Sequence, residues 1–303
     1  MTRLIIDCDP GIDDALALLL ALASPELDVA AITTVAGNVS LDRTTANGLR
    51  VLELAGRSRI PLAAGCDRPL VRLADRDASE VHGTDGLGGI ALPAPAARVV
   101  DEHAVDLIAR IVCEQPTTVV AVGPLTNVAV LLARHPAAAA RIEHLVVMGG
   151  SAIGGNVTPA AEFNAWADPE AAERVFSSGI RTTVVGLDVT RRATLSRLEV
   201  DGIAAGGRVG LAAAAMLRYY LDFAEGEGRE GVAMHDPLAV AVLLDETLVQ
   251  FEDVAILVEC GLGPARGATI IDRAPTTSTI RYGVAVDRDR FAAMLLERLE
   301  RLA

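Results

Sequence analysis

Short apolar runs alternate with longer amphipathic ones along this 303-residue chain, and that alternation restricts the fold more than any other feature. Leu4–Ile6, Val29–Thr33, Val119–Val122, Leu145–Met148 and Thr183–Leu187 read as buried strands. Helical patterns lie between and beyond them, at Asp13–Ala23, Asp42–Ala55, Glu102–Glu114, Asn127–Arg134, Pro169–Ser177 and Gly210–Ala224. The expected fold class is α/β, with a mostly parallel, doubly wound (Rossmann-like) central sheet flanked by helices and a site at the strand C-terminal ends. Only 3% of residues are aromatic while 51% are hydrophobic, which suits helices packed on a parallel sheet better than an aromatic-rich sandwich. No repeat, low-complexity linker or shift in composition divides the chain, so residues 1–303 are expected to form a single domain.

Charge and residue usage exclude several functions. A net charge of -13 argues against a nucleic-acid polymer as ligand, because such binding rests on cationic side chains neutralising phosphates. The chain has no lysine, which excludes Schiff-base chemistry and the phosphate-gripping lysine of a P-loop. Cys8, Cys66, Cys113 and Cys260 are scattered without a C-x-x-C pair, so reduced, mostly buried cysteines are expected rather than a zinc knuckle or a disulfide framework. The chain starts on a strand-like run without a secretory pattern, and no apolar stretch reaches membrane-spanning length. A cytoplasmic protein with no membrane partner is the expectation.

Four aspartates crowd the turn between the first strand and the first helix, in Asp7-Cys8-Asp9-Pro10-Gly11-Ile12-Asp13-Asp14. Two carboxylates about 4 Å apart repel by roughly 4 kcal/mol at an effective dielectric of about 20, so a chain that concentrates them normally has a cation to neutralise them. Polar residues also recur where the other strands end: Asn38 after the second, Thr126 and Asn127 after the Val119 strand, and Met148-Gly149-Gly150 after the next. In an open parallel sheet these ends share one edge, where segments distant in sequence converge on one ligand. Gly83–Pro95, Gly149–Pro159 and Glu225–Met234 read as long loops over that edge. Glu162 and Asn164, two apart, read as a strand-like pair facing one side.

Together these segments resemble the inosine-uridine nucleoside hydrolase family. The resemblance rests on Asp7–Ala15, Val122-Gly123-Pro124-Leu125-Thr126-Asn127, Met148-Gly149-Gly150, Gly155-Asn156-Val157-Thr158-Pro159, Ala161-Glu162-Phe163-Asn164 and His235-Asp236-Pro237, in the family's order and spacing over nearly the whole chain. It implies a calcium-dependent N-ribohydrolase acting on a small-molecule ribonucleoside, assembled as a homo-dimer or homo-tetramer. The implied Ca2+ ligands are Asp9, Asp14, Asp236 and the Thr126 carbonyl, an all-oxygen set that suits calcium, with magnesium as the chemical alternative. Asp9 is the implied general base. The implied ribose positions are Asp13, Asn38, Asn156, Glu162 and Asn164, with donors and acceptors suited to sugar hydroxyls. His235 is the candidate to protonate the departing base, and His82 matches a second family histidine near it. Met148 and Phe163 either line the pocket or pack.

The chain departs from the family pattern in two places. Ala224–Met234 contains no aromatic residue, the nearest being Tyr219, Tyr220 and Phe223, and Val189-Thr190-Arg191 carries arginine where histidine is common. Base preference and leaving-group activation are therefore open, while the metal and ribose chemistry is not.

Plainer readings compete at individual positions. Asp7 reads as a residue behind the ligands that holds the turn. Asp13 and Asp14 also suit a helix start, Asn38 a turn, and Trp166 packing beside the Glu-Phe-Asn segment. His103, His135 and His144 read as surface or loop histidines. Two whole-protein alternatives remain: a ribose- or nucleoside-binding protein without turnover, and a haloacid dehalogenase-type phosphatase suggested by Asp7-x-Asp9. The missing lysine and the Pro10-Gly11-Ile12-Asp13-Asp14 continuation count against the phosphatase.

Overall fold

In the first strand, β1 (Thr2–Cys8), Leu4 and Ile6 enter one hydrophobic cluster and Ile5 enters another, as the period of two requires of a strand covered on both faces. The structure is a computed structural model that describes residues 1–72, 77–275 and 280–302. The remaining strands are β2 (Leu27–Thr34), β3 (Leu62–Ala64), β4 (Thr117–Ala121), β5 (Ile142–Met148), β6 (Thr182–Val185), β7 (Thr194–Leu195), β8 (Val232–Ala233), β9 (Val249–Val258), β10 (Thr269–Asp272) and β11 (Ile280–Val286). The helices are α1 (Ile12–Leu22), α2 (Leu41–Leu54), α3 (Ser79–His82), α4 (Ala104–Glu114), α5 (Thr126–Arg134), α6 (Pro136–Ala139), α7 (Phe163–Ala167), α8 (Pro169–Phe176), α9 (Leu187–Thr190), α10 (Arg197–Ile203), α11 (Gly207–Gly226), α12 (His235–Leu244) and α13 (Arg288–Glu300).

Nine strands form one sheet in the order β10-β9-β11-β6-β5-β4-β1-β2-β3. From β3 to β11 neighbouring strands are parallel, and β9 and β10 extend that sheet antiparallel. The expected mostly parallel, doubly wound sheet is therefore present. The chain runs outward from β1 to β3 on one side and from β4 to β6 on the other, which makes the β1/β4 boundary the point where the winding reverses. Loops leaving the two strands diverge there and open a crevice. Asp7 is in register with Ala121 of β4 and with Thr33 of β2, so the aspartate turn begins at that crevice.

Helix α1 is buried along its whole length, and only Asp13 and Asp14 interrupt its apolar surface. A helix that is apolar all round stabilises itself by complete burial, and α12 packs along α1 to provide it. Both helices begin at the crevice, so the first turn of each delivers carboxylates to the same place: Asp13 and Asp14 from α1, Asp236 from α12.

Several local expectations change. The Thr183–Leu187 strand ends at Val185, because Leu187 opens α9 after an extended Gly186. The Gly210–Ala224 helix is longer at both ends, and the Glu102 helix starts at Ala104 with His103 as its N-cap. His144 belongs to β5, where it bonds the Thr183 hydroxyl at 2.9 Å, and His135 pairs with Asp106 at 2.7 Å. Only Cys8 among the cysteines is buried, and Cys113 is exposed. Glu162 and Asn164 are not in a strand: Glu162 caps α7, and Asn164 lies in its first turn.

Candidate active site

The turn after β1 is held by its own carboxylates before any ligand is considered. Asp14 accepts from the backbone N–H groups of Asp9 at 3.0 Å and Gly11 at 2.9 Å, which closes the chain around the start of α1. The Asn38 side chain, from the segment after β2, donates to Asp14 at 3.0 Å and to the Asp9 carbonyl at 3.1 Å. Its backbone N–H donates to Asp9 Oδ2 at 2.7 Å. Asp9 fits a slot that only glycines leave open: a Cβ on Gly37 would lie 2.1 Å from Oδ2, and one on Gly123 would lie 2.6 Å from Oδ1. Asp7 sits behind, fully buried, accepting from the Thr33 hydroxyl at 2.6 Å and from Asn127 at 2.8 Å.

Asp13, Asp14 and Asp236 each present an oxygen within 4.8 Å of the others, and all three are buried. Desolvation first, then repulsion from Asp14, pushes the Asp13 carboxyl up to about 8. Burial first, then a neighbouring carboxylate, holds Asp9 and Asp236 well above the usual range, the neighbour being Asp14 for Asp9 and Asp13 for Asp236. Burial alone raises Asp7 to about 6 against the two hydrogen bonds that favour its charged form. Among the described residues no arginine pairs with the carboxylates of this cluster. The group therefore has hard oxygen donors, crowding and uncompensated charge, which fit a divalent cation bound by oxygens.

Above this floor is a cleft of about 670 Å³, lined by Asp9, Asp13, Asn38, His82, Met148 and Asn156 together with Glu162, Phe163, Asn164, His235 and Asp236. Nearly all the residues singled out from the sequence thus meet in one volume of the size that takes a drug-sized ligand. Two stand apart from the lining. Asp14 is buried within the carboxylate group, and Thr126, at the start of α5, turns its hydroxyl to Asp168 at 2.7 Å.

Several lining groups also build the local backbone. Glu162 accepts from Asn164 at 2.8 Å, Ala165 at 3.0 Å and Gly150 at 2.9 Å, tying the N-terminus of α7 to the loop after β5. Asn164 donates to the carbonyls of Val122 at 2.7 Å and Met148 at 3.2 Å, joining the ends of β4 and β5. Asn156 accepts from the Phe163 N–H at 2.9 Å, and the Phe163 ring lies 6.1 Å from Trp166.

The two histidines are set differently from the sequence expectation. His82 accepts the Ile12 N–H on Nδ1 at 3.1 Å, which leaves the proton on Nε2, 3.9 Å from Asp13. Its ring packs on Tyr220 at 5.5 Å, and burial lowers it to about 4. His235 Nδ1 lies 2.7 Å from the Thr190 hydroxyl. Burial first, then Arg191, lowers His235 to about 3, so it is a neutral imidazole at neutral pH rather than the near-neutral titrating group read from the sequence.

Sequence reasoning named Tyr220, Phe223 and Arg191 only as departures from a family pattern and did not assign them to the cleft. Tyr220, Phe223 and Ala224 from the last turns of α11 line the cleft, as do Arg191, Thr194 and Arg229. The signal was the i, i+3, i+4 spacing of those three α11 residues, which places them on one helix face. It was obscured because the helix continues to Gly226 and carries that face to the crevice.

Residues 4–293 match the family described as inosine-uridine preferring nucleoside hydrolase. The chain is 44% identical over 309 residues to the pyrimidine-specific ribonucleoside hydrolase RihA of Photobacterium profundum, covering 98% of each. It is 43% identical over 311 residues to the protein of that name from Salmonella newport, again covering 98% of each. Among solved structures it superposes on a purine-preferring ribonucleoside hydrolase from Gardnerella vaginalis with a TM-score of 0.94, 34% identity and 99% coverage of each chain. A plant nucleoside hydrolase gives a TM-score of 0.93, 35% identity and 98% coverage of each chain. The fold and site thus define a glycosidic-bond hydrolase of the doubly wound class, from a metal-dependent family and with an acidic cluster able to hold a metal ion. The chain belongs to the inosine-uridine preferring nucleoside hydrolase family, and its reaction is hydrolysis of the N-glycosidic bond of ribonucleosides.

Proposed function

We propose that this chain is a Ca2+-dependent ribonucleoside hydrolase that prefers pyrimidine nucleosides, with Asp9 as general base. The observation that carries the reading is the buried carboxylate group at the floor of a polar cleft on the sheet's switch point. The proposed ligands are Asp9, Asp14, Asp236 and the Thr126 carbonyl. Calcium suits them because carboxylate and carbonyl oxygens in a flexible shell are its preferred donors. A hard divalent cation held there supplies Lewis acidity to the water nucleophile.

Asp9 takes the proton of the attacking water, and its raised affinity for protons fits that task. As water adds to C1′, the C1′–N bond breaks and its electron pair leaves with the base. Asp13 and Asp236 beside the sugar stabilise the positive charge that develops on the ribosyl group. Asn38, Asn156, Glu162 and Asn164 orient the ribose hydroxyls, and Met148 and Phe163 bound the sugar. His82 and His235 face the base side, His235 as donor of an Nε2–H once Thr190 engages Nδ1.

Pyrimidine preference is supported by the names of the relatives at 43–44% identity; the structural neighbours at 34–35% include one named as purine-preferring. A homo-oligomeric cytoplasmic enzyme completes the reading; among the described residues no helix is long and apolar enough to cross a membrane. The test is a panel of uridine, cytidine, 5-methyluridine, inosine, adenosine and guanosine assayed for free ribose. The expected result is release from uridine and cytidine at the highest kcat/KM. Ribose release from none of the six, with stoichiometric binding of one, would replace hydrolysis by nucleoside binding alone.

A further inference from the structure

The cleft is lined by acidic and amidic groups, among them Asp9, Asp13, Glu162 and Asn164, and also by the rings of Tyr220 and Phe223 and the guanidinium groups of Arg191 and Arg229. Arg191, though exposed, is the one of the two cations that hydrogen-bonds to the backbone of the site. It ends α9 in helical backbone geometry, immediately after Thr190, whose hydroxyl holds His235 Nδ1 at 2.7 Å. Its Nη2 donates to the carbonyl of Gly155, the residue before Asn156. The side chain therefore connects the His235 support to the loop that carries a ribose-facing asparagine.

No carboxylate neutralises it. Among the described residues Arg191 forms no ion pair, although the chain has 40 acidic residues and only 27 basic ones. A guanidinium has five N–H donors in a planar fork, so the bond to Gly155 leaves donors that can face the cleft. An unpaired cation that lines the same cleft as two aromatic rings and the carboxylates of Asp9 and Asp13 is available to a planar ligand part that gains negative charge as the sugar gains positive charge.

Resting on the hydrolase reading, we infer that Arg191 is a leaving-group residue: its guanidinium takes up the charge that reaches a carbonyl oxygen of the base as the C1′–N bond breaks. The electron pair of that bond passes to the base nitrogen and delocalises onto the neighbouring carbonyl, where Arg191 donates. Water supplies the new C1′–O bond, its proton goes to Asp9, and the base anion, which accepts a hydrogen bond from His235 Nε2–H, is protonated afterwards by solvent. The substrate class that follows is nucleosides whose base carries a carbonyl beside the glycosidic nitrogen, such as uracil or cytosine. Adenosine, whose base has none, gains nothing from this residue. Donors aimed at developing anionic oxygen act more strongly in the transition state than in the bound substrate, so the effect falls on kcat.

The test compares wild type with Arg191→Met on uridine, adenosine and 4-nitrophenyl β-D-ribofuranoside, whose nitrophenolate leaves without help. The expected result is a loss of about 10²-fold in kcat on uridine, less than about 3-fold on the nitrophenyl riboside, and a narrowed uridine-to-adenosine ratio. Added guanidinium ion is expected to restore part of the uridine rate in Arg191→Ala, a response that a residue holding only the Gly155 loop would not give. An equal loss on uridine and the nitrophenyl riboside, without rescue, would overturn the inference and leave Arg191 as a loop clasp. An unchanged uridine rate would overturn it as well. Wild-type protein inert toward all three substrates would sink the hydrolase reading itself.

Discussion

The backbone N–H of Asn38 donates to Oδ2 of Asp9 at 2.7 Å, so the segment after β2 aims a carboxylate that the segment after β1 supplies. Gly37 makes this possible, since a Cβ there would lie 2.1 Å from the same oxygen. Gly37→Ala is expected to displace Asp9 and to lower kcat on uridine by about 10²-fold or more while the fold persists. Asp9→Asn, which keeps the shape and removes the base, is expected to lose about 10³-fold. Steady-state kinetics with circular dichroism checks both; near-normal turnover in Asp9→Asn would remove Asp9 from proton transfer.

His82 is bound into the scaffold as firmly as it faces the cleft. Its Nδ1 satisfies the Ile12 N–H at the start of α1, where helix N–H groups have no partner of their own. His82→Ala is expected to lower stability by about 1–3 kcal/mol, through an unpaired buried donor and lost contact with Tyr220. Urea denaturation measures it. His82→Asn, whose side-chain oxygen can accept the same N–H, is expected to recover part of the loss.

Burial of Asp7, and burial with carboxylate crowding at Asp13, make the metal-free protein sensitive to pH. Asp7 and Asp13 bind protons more tightly folded than unfolded, with values raised to about 6 and about 8 from 3.8. Their sign is thus the reverse of a salt-bridged aspartate: the stabilisation is present below about pH 4 and is lost as pH rises through 6 and then 8. In chelator, the melting temperature is expected to fall between pH 5 and 8.5 by more than a neutral-core protein would show. Saturating Ca2+ is expected to flatten that fall by neutralising the same charges. Thermal melts at each pH, with and without the ion, decide it; identical slopes would mean that the cation does not bind at this cluster.

Thr126 separates a backbone role from a side-chain role. Its hydroxyl donates to Asp168, which also accepts from Leu70 at 2.9 Å and Ala171 at 3.1 Å. Thr126→Val keeps the carbonyl and the shape, so Ca2+ affinity is expected to change less than about 3-fold while stability falls by about 1 kcal/mol. Isothermal calorimetry and denaturant melts read the two separately.

What the sequence made legible was governed by local rules. The parallel strands β1, β2, β4, β5 and β6 and helix α1 follow from apolar runs and periodicity, and the aspartate turn followed from its position between them, while the parallel strands β3 and β11 went unread. Glu162 and Asn164 were placed at the site on the wrong element, because two residues at the start of a five-residue helix carry no periodicity to distinguish them from a strand. The partnerships that set the site's electrostatics, His235 with Thr190 and His82 with Ile12, span 45 and 70 residues. Nothing in the local pattern marks them. Strands β9 and β10 went unread because their exposed positions, such as Gln250 and Leu257, break up the continuous apolar run that marks the central strands.

The central claim is that the buried carboxylates hold a cation needed to hydrolyse ribonucleosides. Protein stripped with chelator and titrated with Ca2+ should be assayed for free ribose from uridine, beside Asp14→Asn and Asp236→Asn. The expected result is negligible release without the ion, saturable recovery with it, and in both variants a shift of that recovery to at least about 10-fold higher Ca2+. Full ribose release from the stripped protein, or variants that saturate at the wild-type concentration, would contradict it.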